Sequence, residues 1–345
     1  MRVQAMTAGV LVGVLLGSAS LSGWSAATEA PCDEVILEGV GPACREGALW
    51  RVFLEDGSSV LTHGPDAPPP DLPPIPSTTD LLVPPVCVDP TLPGVDHARN
   101  VLVYARAFDQ ADRYAAMTPA LRHNLLLANT WLWLDGAQRG MPVSYRTQCD
   151  ADLQPLVLNA ILATPRASTS AGTIFSNLRT GGFNNPDVKY MIWFDGSACG
   201  CGGIGTINGD DRLIAGNVNN VGPDWGITFG YTGFNGAFIL MHENGHNQGV
   251  VQLTAPHTSG GWHCNDGYDV MCYADGGSRS NYTHTACAYD AVGNHPPFDC
   301  NGDDYFHPLP QPDNYLFSHW NMASPYNRFV SLGSLGRVTA PAPAP

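Results

Sequence analysis

Residues 237–249 read AFILMHENGHNQG, an apolar run that leads into His242-Glu243-Asn244-Gly245-His246 and ends at Gly249. Histidines at positions i and i+4 share one face of a helix, so both imidazoles reach one metal ion, and the intervening glutamate points to where a metal-bound water would sit. Zn²⁺ suits this set, because it takes imidazole nitrogen and leaves a position open for a water whose pKa it lowers to about 7. The stretch predicts a metal-binding helix in which His242 and His246 are ligands and Glu243 is the general base and then the general acid.

The composition of the chain makes an accidental match improbable. With 11 histidines and 6 glutamates in 345 residues, about 0.006 chance occurrences of the pattern His-Glu-x-x-His are expected. Every other glutamate lies at or before Glu55. The chain thus places its only later glutamate between two histidines, which favours a functional site over two hydrogen-bonded core histidines.

The residues around this helix predict an α/β (α+β) domain with a mixed sheet, an active-site helix and an irregular, disulfide-stapled C-terminal part. Strands and helices alternate along the chain before the final, loop-rich hundred residues. The predicted strands are Val101–Ala107, Pro142–Arg146 and Lys189–Asp195, and the predicted helices are Thr118–Gln138, Ser168–Leu178 and Phe234–Gly249.

Composition shifts divide the chain into five parts. An arginine, a short apolar run and small residues predict a signal peptide over 1–27, too short in its apolar part to span a bilayer comfortably. A small N-terminal segment (28–64) follows, then a proline-rich linker or propeptide junction (65–94), and these two alternatives stay open. The main domain, which carries the metal-binding helix, covers 95–335, and an Ala/Pro-rich tail (336–345) is expected to be disordered.

Charge and cysteine content limit the partners and the compartment. The net charge of −15 argues against nucleic acid and anionic membrane surfaces as partners. Ten cysteines in a chain with a predicted signal peptide indicate an exported protein with up to five disulfides. We therefore expect a secreted monomer without a membrane anchor.

A glycine three residues after His246 and a methionine in Asp269-Val270-Met271-Cys272-Tyr273 extend the motif. With these residues the chain resembles the metzincin clan of zinc endopeptidases, and more closely secreted metalloproteases of the actinobacterial type, over most of 189–321. The resemblance implies hydrolysis of peptide bonds in protein or peptide substrates, with Met271 as an apolar floor to the site. It also implies that Tyr273 assists the oxyanion, although an ordinary core tyrosine is the alternative.

The third metal ligand departs from that pattern. Many metzincins place a histidine or aspartate three residues after the glycine, where this chain has Gln252, and a neutral amide is a poor zinc ligand. His257 and His263 are the nearby candidates, and we favour His257, which a short loop insertion could return to the metal. His263 is expected to be tied to the methionine turn through a disulfide between Cys264 and Cys272.

Several weaker signals remain. Asp210-Asp211 and Asp299…Asp303-Asp304 have the oxygen ligands of a structural Ca²⁺ site, with solvated acidic loops as the alternative. The segment 200–205 (GCGGIG) is expected to form a glycine-rich wall beside the cleft rather than a dinucleotide site. Cys87 either caps the zinc as a switch or, the plainer expectation, pairs with Cys149. The aromatic residues before the active helix are expected to line the cleft or fill the core; they are Phe229, Tyr231 and Phe234.

The sequence therefore predicts a secreted zinc endopeptidase. Two alternatives stay open: a zinc hydrolase that acts on non-peptide amides or esters, and a non-enzymatic binding module on a degenerate metalloprotease scaffold, which Gln252 suggests.

Overall fold

The computed structural model describes residues 32–68, 82–267, 269–279 and 297–333. The predicted signal peptide and the C-terminal tail 336–345 lie outside the described residues, as does part of the proline-rich stretch. The described residues from Asp33 onward belong to one compact unit.

The described residues form a mixed α/β structure with two sheets and three helices. The strands are β1 (Val35–Leu37), β2 (Gly41–Glu46), β3 (Leu49–Phe53), β4 (Ser59–Thr62), β5 (Val86–Val88), β6 (Arg99–Ala107), β7 (Val143–Gln148), β8 (Val157–Leu162), β9 (Val188–Phe194), β10 (Gly203–Gly205), β11 (Asp224–Phe229) and β12 (Val330–Leu332). The helices are α1 (Tyr114–Gln138), α2 (Ala171–Thr180) and α3 (Gly233–Asn247).

The main sheet is mixed, with its strands in the order β10-β11-β9-β6-β7-β12, while β8 pairs with β6 and β5 with β7. The strands from β11 through β9 to β6 run parallel, whereas β10 pairs antiparallel with β11 at one edge. A parallel strand that is covered on both faces needs apolar residues at successive positions. This requirement explains the continuous apolar runs in β6 and β9, which the sequence reveals.

Alternate residues of the central strands face two different cores. Leu102 and Tyr104 pack with Trp131 of α1 and Met241 of α3. Val101 and Val103 pack on the opposite face, with α2 and the N-terminal strands. Because side chains alternate along a strand, one sheet separates the two cores and holds α3 against its first face.

The N-terminal segment forms its own antiparallel sheet in the order β1-β2-β3-β4. Val40 and Val52 of this sheet are fully buried and share the second core with Ile174 of α2. The segment is therefore packed against the main domain by apolar contacts.

The helix bounds differ from the predicted ones at their starts. Helix α1 begins at Tyr114, where Asp112 Oδ1 accepts a hydrogen bond from the Tyr114 N–H at 2.8 Å, so Pro119 lies inside the helix rather than in its first turn. Helix α2 begins at Ala171 because Ser170 and Thr173 form a reciprocal capping box. Helix α3 ends at Asn247, and Gly249 then adopts φ +81°, a conformation that glycine adopts without strain.

The disulfides of the described residues include Cys87–Cys149, Cys199–Cys201 and Cys264–Cys272. The predicted pairs of Cys87 with Cys149 and of Cys264 with Cys272 are thus confirmed.

In the part of the chain that the structure describes, no helix has the length and apolar character needed to cross a membrane.

Candidate metal centre

The Nε2 atoms of three histidine rings converge, two from α3 and one from the loop after it, and the ring of His63 stacks on that of His246 at a centroid distance of 3.8 Å. The Nε2 atom of His246 lies 3.1 Å from Nε2 of His242 and 3.2 Å from Nε2 of His263. All three side chains are buried, none with more than 4% of its surface exposed. The structure therefore brings the two helical histidines together and adds His263 as the third.

Backbone carbonyls orient the two helical rings. His242 Nδ1 lies 2.7 Å from the carbonyl oxygen of Val270, and His246 Nδ1 lies 3.1 Å from that of Val250. A carbonyl oxygen only accepts a hydrogen bond, so each Nδ1 carries the proton and each Nε2 presents a lone pair. Met271, next to Val270, packs beneath the helix against Gly245 and is itself fully buried.

A carboxylate orients the third ring. His263 Nδ1 lies 2.9 Å from Asp275 Oδ2, and this oxygen also accepts a hydrogen bond from the Ser259 hydroxyl at 2.6 Å. Burial by itself lowers the pKa of His263, but Asp275 and Asp66 outweigh it and raise the pKa to about 9. Hydrogen bonding of the outer ring nitrogen to a carboxylate is the usual support of a metal-ligating histidine. The sequence offered no signal for Asp275.

The donor set fits a metal ion. Two buried, lone-pair-bearing nitrogens about 3 Å apart repel each other unless a cation or a proton lies between them. Zinc–nitrogen bonds of about 2.0–2.1 Å at tetrahedral angles place ligand nitrogens about 3.4 Å apart, close to the separations seen here. Burial, together with the neighbouring imidazoles, lowers the pKa of His246 well below its ordinary value, so that ring is neutral, as a metal ligand must be.

The other two candidates for third ligand lie elsewhere. The ring of His257 faces Asp304, whose Oδ2 is 3.2 Å from His257 Nδ1, and does not join the three converging imidazoles. Gln252 donates from Nε2 to the carbonyl oxygen of Gly249 at 2.7 Å and so braces the end of the helix. The preference for His257 over His263 is therefore not supported by the structure. The loop after α3 brings His263 to the site, since the neighbouring Cys264 is held to the methionine turn by its disulfide with Cys272.

A carboxylate just beyond the N-terminal segment, that of Asp66, faces the three rings. The Oδ2 atom of Asp66 lies 3.1 Å from His242 Nε2, and its Oδ1 atom lies 3.2 Å from His263 Nε2. Burial raises the pKa of Asp66, but the rings of His63 and His242 outweigh it and hold the pKa well below the ordinary value. Sequence reasoning missed Asp66, since nothing local to it marks a ligand.

The N-terminal segment lies along the edge of the main sheet next to the centre. The Asp66 N–H donates to the carbonyl oxygen of Gly203 at 3.0 Å, and the Gly202 N–H donates to that of Asp66 at 2.9 Å. Thr62 forms an antiparallel bridge with Thr206 further along. Residues 61–66 thus add to the edge strand β10 in the manner of an extended peptide.

The side chain of Glu243 lies next to His63, on the buried side of residues 61–66. Its side chain is 1% exposed, its Oε2 is 3.7 Å from His63 Nε2, and neither oxygen has a hydrogen-bond partner among the described residues. Burial, reinforced by the charge of Asp66, raises the pKa of Glu243 well above the ordinary value. In this arrangement the acid is closed off from solvent by His63 and Asp66.

The glycines of β10 make room for the glutamate. A Cβ atom at Gly203 would lie 2.0 Å from Glu243 Oε1 and 2.6 Å from the carbonyl oxygen of Ile227 on the paired strand. The segment predicted as a glycine-rich wall is therefore the strand against which the carboxylate packs.

Tyr273 lies at the rim of the centre. Its hydroxyl donates to Asp66 Oδ1, and its ring centroid is 4.2 Å from that of His263. Burial raises the pKa of Tyr273 well above its ordinary value, and the charge of Asp66 adds to this. The tyrosine is thus neutral and presents a hydrogen-bond donor toward the metal-facing side of the rings.

The structure has two clefts of about 920 and 970 Å³, and Gly200 and Cys201 line both. Phe229 and Tyr231 line the first, whereas Phe234 stacks on Trp131 in the core at a centroid distance of 5.2 Å. The second includes Asp66, so it reaches the centre.

Comparison of the chain with protein-family models, with curated proteins and with solved structures gave no significant match.

Proposed function

We propose that this protein is a secreted zinc endopeptidase, and that the chain described here is its latent form. The observation that carries the proposal is the convergence of three buried Nε2 atoms beside the carboxylate of Glu243. Three imidazoles with a fourth position for another ligand are the donor set of catalytic zinc sites, and zinc bound there supplies a Lewis acid that polarises a carbonyl and acidifies water.

The residues of the chain have separable roles in this proposal. His242, His246 and His263 hold the metal, each ring oriented through its Nδ1. Glu243 takes a proton from the attacking water on a side-chain oxygen and delivers it to the leaving amine; its raised pKa suits a group that must hold a proton between the two steps. The Tyr273 hydroxyl stabilises negative charge on the substrate carbonyl oxygen.

Latency follows from the N-terminal segment. Asp66 offers a fourth ligand to the three histidines, and a site closed by four protein ligands is typical of structural rather than catalytic zinc. His63 covers Glu243, and residues 61–66 pair with the edge strand on which an extended substrate would lie. Removal of this segment would open the fourth position, uncover the carboxylate and free the edge.

The alternatives predict different outcomes. A binding module keeps Asp66 on the metal permanently and shows no turnover, and a hydrolase of non-peptide substrates shows turnover without degrading protein. The strand edge that residues 61–66 cover favours the peptidase, because backbone groups that pair with one extended segment recognise a peptide rather than a small ester.

The experiment compares intact and cleaved protein. A recognition sequence for a site-specific protease is inserted at residue 76, in a stretch (65–94) without lysine or arginine, and the protein is assayed on casein before and after cleavage and removal of the N-terminal fragment. We expect degradation to rise at least tenfold after cleavage, to stop with a zinc chelator, and to fall by at least 100-fold in Glu243→Gln with zinc retained.

The exposed Asp313→Asn, which stays in the cleaved protein, is the control and should behave as wild type. Cleaved, zinc-loaded protein that leaves casein intact, or equal activity in Glu243→Gln, would contradict the proposal.

A further inference from the structure

A second cluster of acidic side chains lies apart from the three histidines. It comprises residues from the loop after His263 and from the turn 299–304. Four of its carboxylates are at least nine-tenths buried: Asp266, Asp269, Asp299 and Asp304 are 5%, 3%, 0% and 1% exposed. Asp303, next to them, is partly exposed. So many carboxylates in so small a buried volume repel one another strongly unless something neutralises them.

Backbone groups satisfy part of this cluster. Asp269 accepts hydrogen bonds from Met271 N–H at 2.7 Å and from Cys300 N–H at 2.8 Å. Asp299 Oδ2 accepts from the N–H groups of Tyr305 and Phe306 at 2.8 and 2.5 Å. These contacts tie the acidic turn to the methionine turn beneath the metal centre.

Other oxygens of the cluster have no hydrogen-bond donor. Among the described residues, Asp266 Oδ2, Asp299 Oδ1 and Asp303 Oδ1 are buried without a partner. The other oxygen of Asp266 lies 3.2 Å from Cys272 Sγ, which has no proton to donate because it is in the disulfide with Cys264. An ionised carboxylate that is buried without donors is strongly disfavoured, so these oxygens point to a missing cation.

Two of these three residues, Asp266 and Asp303, converge with Asp304 and His257. Ligand atoms of Asp266, Asp303, Asp304 and His257 all lie within 4.8 Å of one another. The His257 Nδ1 atom is 3.4 Å from Asp266 Oδ2, 3.6 Å from Asp303 Oδ1 and 3.2 Å from Asp304 Oδ2. One imidazolium carries a single positive charge against three carboxylates. The guanidinium of Arg139 bonds instead to Asp135 and to the Asp299 carbonyl oxygen.

We propose that Asp266, Asp303 and Asp304 bind one Ca²⁺ ion, in a site separate from the zinc centre. Oxygen ligands from carboxylates are those that Ca²⁺ prefers, whereas zinc prefers nitrogen and sulfur. His257, predicted from sequence as a zinc ligand, flanks this site. Its backbone N–H orients Asp304 by donating a hydrogen bond of 2.8 Å to Asp304 Oδ1. Bound Ca²⁺ links the turn 299–304 to the loop that carries His263 and Met271, and so stiffens the support of the zinc centre. The site does not depend on peptidase activity.

The test measures Ca²⁺ binding to the full chain with its zinc in place. Protein desalted into calcium-free buffer is titrated with CaCl₂ by calorimetry, and the midpoint of thermal unfolding is measured with and without 2 mM CaCl₂. We expect about one Ca²⁺ per chain and a higher midpoint with calcium, because a ligand that binds only the folded state stabilises it. Asp266→Asn and Asp303→Asn should each weaken binding at least tenfold without changing the zinc content, and the exposed Asp313→Asn should bind as wild type.

A further comparison separates calcium binding from simple pairing with His257. Without calcium, Asp266→Asn should unfold at the same or a higher temperature than wild type, because it removes an uncompensated buried charge. If the imidazolium alone neutralises the cluster, Asp266→Asn unfolds at a lower temperature and CaCl₂ shifts neither protein. That result, or binding of ZnCl₂ in place of CaCl₂ at these residues, would overturn the proposal.

Discussion

The Oδ2 atom of Asp66 lies 3.1 Å from the Nε2 atom of His242, which joins the end of the N-terminal segment to the metal-binding helix. The same carboxylate reaches His263 through its other oxygen, and its backbone pairs with the edge strand β10. Asp66 therefore contacts both the Nε2 atoms of the histidines and the edge strand beside them. A change at Asp66 should alter the metal centre.

Replacing Asp66 tests this contact. In Asp66→Ala the fourth position opens to water and small molecules, so a chelator should extract zinc from the intact chain at least tenfold faster than from wild type. Hydrolysis of a short peptide by the uncleaved chain should rise in parallel. Asp89→Ala, at an exposed aspartate, is the control. Equal extraction rates in the three proteins would show that Asp66 does not close the site.

The third ligand is tested by two alanine variants. His263→Ala removes one of three converging nitrogens and should lose most of the bound zinc, whereas His257→Ala should keep it, because its ring faces Asp304. Asp275→Asn, which weakens the support of the His263 ring, should lower zinc affinity by about 10–100-fold. Metal content is measured by mass spectrometry after dialysis. Full zinc in His263→Ala together with loss in His257→Ala would reverse this assignment.

The packing of β10 against Glu243 predicts an asymmetry between neighbouring glycines. A Cβ at Gly203 would lie 2.0 Å from Glu243 Oε1, whereas at Gly200 nothing lies within 4 Å. Gly203→Ala must therefore displace the carboxylate, and casein degradation by the cleaved protein should fall at least tenfold with zinc retained. Gly200→Ala should keep wild-type activity, and an equal effect of both substitutions would argue against this role of the strand.

The only lysine of the chain anchors the end of the metal-binding helix. Lys189 is fully buried, and its Nζ lies 2.6 Å from Asp224 Oδ2 and 2.5 Å from the carbonyl oxygen of Asn247. Lys189→Met leaves the Asp224 carboxylate buried and unpaired, so the free energy of unfolding should fall by about 3–5 kcal/mol. Denaturant unfolding measures the loss. The double variant Lys189→Met/Asp224→Leu should recover a large part of it, and a single variant as stable as wild type would contradict the prediction.

Asp195 predicts a dependence of stability on pH. It accepts hydrogen bonds from Arg113 Nε at 2.9 Å and from the Tyr104 hydroxyl at 2.6 Å. Burial raises the pKa of Asp195, but these donors outweigh it and the pKa is lowered overall. The folded state binds the proton less well than the unfolded state, so the stabilisation is present above the unfolded pKa of about 3.9 and is lost as the pH falls through the folded pKa.

Thermal unfolding of wild type and Asp195→Asn from pH 3 to pH 7 measures this effect. The wild type should be the more stable protein above pH 5, and the difference should shrink below pH 4. A difference that stays constant over the whole range would show that the carboxylate charge does not contribute.

The sequence predicted the parts of the structure that depend on neighbouring residues. The spacing of His242 and His246 fixes their common helix face, and the run Lys189–Asp195 predicted the central strand observed at Val188–Phe194. Sequence analysis missed β8 and β11, because polar residues and glycine interrupt their apolar residues and weaken the strand pattern. It also placed the start of α1 several residues late, because a proline favours a first turn and the hydrogen bond from the Tyr114 N–H to Asp112 Oδ1 has no strong sequence signal.

Sequence by itself determined the helix, its two histidines and the glutamate between them, since one turn of helix brings residues i and i+4 together whatever surrounds it. Only the tertiary structure decided that His263 rather than His257 joins them, that Asp66 faces all three rings, and that Asp266 meets the turn 299–304. These contacts join residues far apart along the chain. The cost of closing a loop depends only weakly on its length, so sequence alone does not distinguish one such pairing from another, and the packing of the two cores determines which one forms.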